Sequence, residues 1–181
     1  MKKLWTRKSL LISSIILSLL VFVATSASPD GRKNVKASLS GFQEPPSVSS
    51  TGRGDFRARI DDEAQTITYT LSYSNLEGTT TLAAHIHLGQ RSVNGGVAAF
   101  LCSGGDKPPC PTTGGTVTGV IDAADIIGPA GQGLAPGEFA EFVRAIRSGN
   151  TYANVHTNKH PGGEIRGQIS GNDNDEDDDD N

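Results

Sequence analysis

Gly54-Asp55-Phe56-Arg57-Ala58-Arg59-Ile60, then Asp61-Asp62-Glu63-Ala64-Gln65, then Ile67-Thr68-Tyr69-Thr70-Leu71-Ser72-Tyr73, is the stretch whose reading decides the fold. In its first part Phe56, Ala58 and Ile60 alternate with Asp55, Arg57 and Arg59. In its last part Ile67, Tyr69, Leu71 and Tyr73 alternate with Thr68, Thr70 and Ser72. A period of two puts one set of side chains on each face of an extended strand. The polar segment between them reads as a hairpin loop. The pattern repeats outward in Val35–Leu39, Leu82–Leu88, Val97–Cys102, Gly115–Ile121, Tyr152–Thr157 and Glu164–Ile169. Turn signals stand at Asn94-Gly95-Gly96 and Pro161-Gly162-Gly163. Short strands spaced by turns predict an all-β fold, an antiparallel Greek-key-like sandwich or barrel. One segment departs from the pattern. In Glu138–Arg147, Phe139, Phe142, Val143 and Ile146 recur at helical spacing, acids stand early, Arg144 and Arg147 stand late, and Gly149 follows as a stop. It predicts one short helix laid against the core.

The ends of the 181-residue chain differ in character from its body. Met1–Lys8 carries Lys2, Lys3, Arg7 and Lys8, Leu10–Ala24 is almost wholly apolar, and small residues run to Ala27. Basic, apolar and small segments in that order read as a secretory signal peptide over 1–27, cut near Ala27. The alternative is an uncleaved anchor, although the run is short against the ~20 residues of a spanning helix. Residues 28–170 then form one domain, with 13 acids against 12 bases. Residues 171–181 form an acidic tail that reads as solvated, its carboxylates able to hold Ca²⁺ only loosely without the ordered spacing of a calcium loop. The expectation is a secreted, periplasmic or cell-envelope exterior protein, with no membrane contact after cleavage. No basic stripe argues for nucleic acid.

Cys102 and Cys110 are the only cysteines and bracket a Gly/Pro-rich loop. In an oxidising compartment such a pair forms a disulfide, with a stabilisation of about 2–3 kcal/mol for a short closed loop.

The four histidines carry the sharpest chemical hint. His85 and His87 alternate on one strand and so project from one face, while His156 and His160 stand near the end of the chain. Imidazole is the commonest protein ligand for copper and zinc. If the strand of His156 lies beside that of His85 and His87, three imidazoles can hold a metal ion and leave one position open, with His160 as the least secure candidate fourth. Glu44 and Glu164 are candidates to fix the ring tautomers. Arg166 shares a strand face with Glu164 and could pair with Glu164, pair with Glu44 or bind a substrate. Ligation requires neutral rings, so affinity is expected to fall as pH drops through about 6. The alternative is that these histidines bond to backbone or carboxylate and stiffen the sheet. No Gly-x-Ser-x-Gly elbow and no phosphate-binding glycine loop occur.

Three stretches together resemble the CHRD domain, a unit found repeated in chordin and singly in many microbial exported proteins. They are Ala37–Val48, His85–Gly89 with Asn94–Val97, and Tyr152–Thr157 running into Pro161–Gln168. The resemblance spans about residues 35–170. It implies an all-β extracellular module with no assigned enzymatic activity. His85, His87 and His156 match the family motif, and His160 departs from it. A looser likeness to copper/zinc superoxide dismutase rests on the His-x-His strand, the later histidines and the disulfide. Its zinc-ligand loop is missing, so dismutase activity is not carried over. The reading that follows is a binding module for an extracellular or envelope protein partner rather than an enzyme. A copper- or zinc-binding protein is the alternative, and a metal-dependent redox enzyme a third.

Overall fold

The computed structural model describes residues 34–171 together with Met1. The segment read as a signal peptide and the acidic tail after Gly171 lie outside the described residues. Nine strands form one antiparallel sheet: β1 Asn34–Ser40, β2 Arg53–Asp61, β3 Thr66–Ser74, β4 Thr81–Leu88, β5 Gly96–Cys102, β6 Gly115–Ile121, β7 Thr151–Thr157, β8 Ile165–Gln168 and β9 Ser170–Gly171. The strand order is β5-β4-β7-β8-β1-β2-β3-β6, with β9 paired to β1. The sheet curls until its edges β5 and β6 approach one another, giving a nearly closed barrel. Inside, Tyr69 on β3 donates its hydroxyl hydrogen to the Leu101 carbonyl on β5 at 2.7 Å, which satisfies a buried phenol while tying distant strands together.

The period-two reading survives in three dimensions. β2 and β3 pair without a register shift from Arg53↔Ser74 to Asp61↔Thr66, so Phe56, Ala58, Ile60, Ile67, Tyr69, Leu71 and Tyr73 all turn inward. They join Leu39, Ile86, Val155 and Ile165 in one apolar interior. Each large aliphatic or aromatic side chain so buried contributes about 1.5–3 kcal/mol. The one α-helix among the described residues, α1 (Phe139–Arg147), adds Phe139, Phe142, Val143 and Ile146 to that interior. Arg147 fastens it to Asp62 in the β2–β3 hairpin through two bonds of 3.1 and 2.6 Å. Cys102 and Cys110 are joined in a disulfide across a Cα separation of 5.0 Å.

Glu164 ties two loops to the end of β7. Its carboxylate is fully buried and accepts from Ser50 Oγ (2.7 Å), Thr157 Oγ1 (2.6 Å) and the backbone amides of Glu77 (2.6 Å) and Gly78 (3.2 Å). Burial alone would raise its pKa. The four donors outweigh that, and the carboxyl sits below its usual range. A depressed carboxylate pKa stabilises the fold above the unfolded value near 4.5, and that stability is lost as pH falls below it. Glu164→Gln is therefore expected to cost about 3 kcal/mol at neutral pH and to flatten the acid limb of the stability profile, read by urea unfolding at pH 7 and pH 4.

Candidate metal centre

The barrel places the histidines on its outer surface. Ala84 and Ile86 of β4, and Ala153 and Val155 of β7, face inward and are fully buried. Their alternating neighbours His85 and His87, and Tyr152, Asn154 and His156, therefore face outward. β4 and β7 are adjacent and antiparallel, with His85↔Asn154, His87↔Tyr152 and Ala83↔His156 in register. This pairing gathers residues about seventy positions apart. The ring centroids of His85 and His87 lie 5.4 Å apart, those of His85 and His156 4.9 Å, and those of His87 and His156 6.1 Å.

One ring nitrogen from each of the three lies within 4.8 Å of the others. Two of the tautomers follow from backbone contacts. His87 Nδ1 faces the Gly95 carbonyl at 2.9 Å, and His156 Nδ1 faces the Pro161 carbonyl at 2.9 Å. A carbonyl only accepts, so each Nδ1 carries the hydrogen and each Nε2 keeps its lone pair. Those Nε2 atoms, and Nδ1 of His85, are buried without a hydrogen-bond partner. Buried polar atoms are nearly always satisfied, so an orphaned nitrogen on each of three clustered rings needs a reason. A tetrahedral zinc site sets its nitrogens about 3.4 Å apart, so side-chain shifts of about an ångström would let all three rings ligate one ion.

The surroundings keep the rings neutral. Burial, reinforced by the neighbouring His156 and His87, lowers His85 to about 3. Burial lowers His87 to about 4, against the opposing pull of the Gly95 carbonyl. Burial lowers His156 as well, again partly opposed by its backbone bond. Protons thus compete for the His85 and His87 nitrogens well below the pH 6 expected of ordinary imidazoles, and His156 is shifted in the same direction.

Packing fixes the ring planes. Phe100 on β5 lies edge-on to His85 at 4.7 Å. Tyr152 stacks on His87 at 4.7 Å with the planes 4° from parallel. Arg166 lies over Tyr152, 3.4 Å from its centroid, and donates to the Gln90 and Val93 carbonyls at 2.9 and 3.0 Å. Two glycines are required here by close approach. A Cβ on Gly95, whose carbonyl holds His87, would meet the Leu88 carbonyl oxygen at 1.7 Å. One on Gly163, at φ +129°, would meet Asn154 Nδ2 and Glu44 Oε1, both at 2.5 Å.

The remaining sequence candidates fall in different places. Glu44 is buried and accepts from Asn154 Nδ2 at 3.0 Å, so it reaches the outer face of β7 through Asn154. Glu164 serves the loops described above, and Arg166 holds the loop around Gln90 and Val93. His160 lies outside the group of three, although its Nε2 is also buried without a partner. Tyr152 and Asn154 did not figure among the sequence candidates. Strand alternation with His156 would have marked both as facing the same way.

The CHRD domain model matches residues 35–169, and the chain belongs to the CHRD domain family. No curated protein and no solved structure matches it.

Acid should loosen the metal-free fold. The unfolded chain takes up protons near pH 6.5, while folded His85 and His87 refuse them until about 3 and 4, so stability falls as pH drops below about 6.5. Urea unfolding at pH 7 and pH 5 should show that loss, and His85→Leu should reduce it. An unchanged difference would place the rings in water.

Proposed function

We propose that this CHRD protein is an exported binding module that takes up one copper or zinc ion between His85, His87 and His156. The observation that supports the reading is the convergence of three imidazoles, each with a buried, unpartnered ring nitrogen, two of them with Nδ1 already committed to a backbone carbonyl. Three neutral imidazoles suit borderline ions such as Cu²⁺ and Zn²⁺, and leave a further position for water or a donor from a partner. The basic-apolar-small order of residues 1–27 supports export, which places the site outside the reducing cytosol, in the envelope or beyond the cell. Membership of a family of binding modules fits such a role, and the reading requires no catalytic step.

Calorimetric titration of the metal-free protein with Cu²⁺ and Zn²⁺ tests this. One ion per chain is expected, with affinity reduced at least a hundredfold in the His85→Ala/His87→Ala double variant and at least tenfold in His156→Ala. His160→Ala should stay within about threefold of the parent. Affinity should begin to fall at a lower pH than ordinary imidazoles would give, because burial lowers the pKa of all three rings. Equal, weak binding by parent and double variant would refute the reading.

A further inference from the structure

Three imidazoles leave one coordination position, and the middle of the cluster holds a further orphaned atom. Asn154 lies on the outer face of β7, directly opposite His85, diagonal to His87 and two residues from His156 on its own strand. Side chains so placed on one sheet face come within reach of one another. Asn154 is 3 % exposed, and its Oδ1 is buried without a hydrogen-bond partner. Against the larger fall that burial causes at His87, the Gly95 carbonyl and then the Asn154 carboxamide pull the pKa upward, so the amide stands at that ring.

The direction of the amide is set from behind. Its Nδ2 donates to Glu44 Oε1 at 3.0 Å. A carboxylate only accepts, so the nitrogen faces Glu44 and the oxygen takes the other branch. Glu44 is itself buried, and the chain at Gly163 passes so close that a Cβ there would strike both Asn154 Nδ2 and Glu44 Oε1. The Nδ1 atoms of His87 and His156 are committed to carbonyls, so the orphaned atoms of those two rings are lone-pair carriers, as is Asn154 Oδ1. Lone pairs cannot satisfy one another. A single cation can satisfy all of them.

We propose that Asn154 Oδ1 is the fourth donor to the metal ion, with Glu44 holding the carboxamide in place. The inference rests on the three-histidine reading and completes it. The place that the sequence offers to His160 goes instead to a residue at the centre of the cluster. Three imidazoles and one hard oxygen, with no thiolate or thioether, select Cu²⁺ or Zn²⁺ over Cu⁺. Four protein donors also close the sphere. A closed site keeps no metal-bound water to activate, which suits a module that holds an ion rather than one that turns over a substrate.

Azide, which enters only an open coordination position, tests this on the chain 28–181 loaded with Co²⁺, a visible-absorbing stand-in for Zn²⁺. The parent should show the intense absorption of a four-coordinate ion, unchanged by azide. Asn154→Ala should bind Co²⁺ at least tenfold more weakly, admit water, and change its spectrum when azide is added. Asn154→Asp, which keeps an oxygen donor, should exclude azide as the parent does. The parent alone is decisive even if a variant fails to fold. An azide-dependent spectrum in the parent shows an open position and overturns the proposal while leaving the three-imidazole site standing. An Asn154→Ala variant that keeps the parent's affinity and excludes azide overturns it too. A parent that takes up no Co²⁺ overturns this inference together with the reading beneath it.

Discussion

The pairing of β4 with β7 is the constraint on which the site depends. Two strands that alternate inside and outside over Ala83–Leu88 and Thr151–His156 are laid together so that Ala84, Ile86, Ala153 and Val155 fill the barrel. The imidazoles are then driven to the outer face. A slip of one residue in either strand would send histidines into the apolar interior and small aliphatics to the outside. The same burial that stabilises the barrel therefore fixes where the ring nitrogens meet.

The outer face is built to hold ring orientation rather than merely to tolerate histidine. Backbone carbonyls at Gly95 and Pro161 set the tautomers of His87 and His156, and Tyr152 and Phe100 set two ring planes. Arg166 secures the loop that precedes Gly95 by bonding Gln90 and Val93, and packs over the ring of Tyr152. Its charge thus contributes to shape. Desolvation keeps the imidazoles unprotonated over the physiological range, which is the state that a metal ion needs.

Much of this was legible in the residues themselves, for a physical reason. Alternation over 54–60 and 67–73 marks strands because one face of each must be apolar, and the helical stripe of Phe139, Phe142, Val143 and Ile146 stands out against it. The barrel, the short helix, the disulfide and the outward direction shared by His85 and His87 all follow from such local patterns. Strand adjacency does not, because the contact between β4 and β7 is set by the whole sheet order. Glu164 shows the limit most clearly. Its proximity in sequence to Arg166 suggests an ion pair or an imidazole partner. Its actual donors are Ser50, Thr157 and two loop amides, and backbone amides leave no trace in side-chain spacing.

The central claim is that His85, His87 and His156 together form one coordination sphere. X-ray absorption of the protein loaded with one equivalent of Zn²⁺ measures that sphere directly. The account predicts three nitrogen scatterers at about 2.0–2.1 Å with the multiple-scattering signature of imidazole, and loss of that signature in the His85→Ala/His87→Ala variant. A shell made only of oxygen, or one imidazole or none, would contradict it.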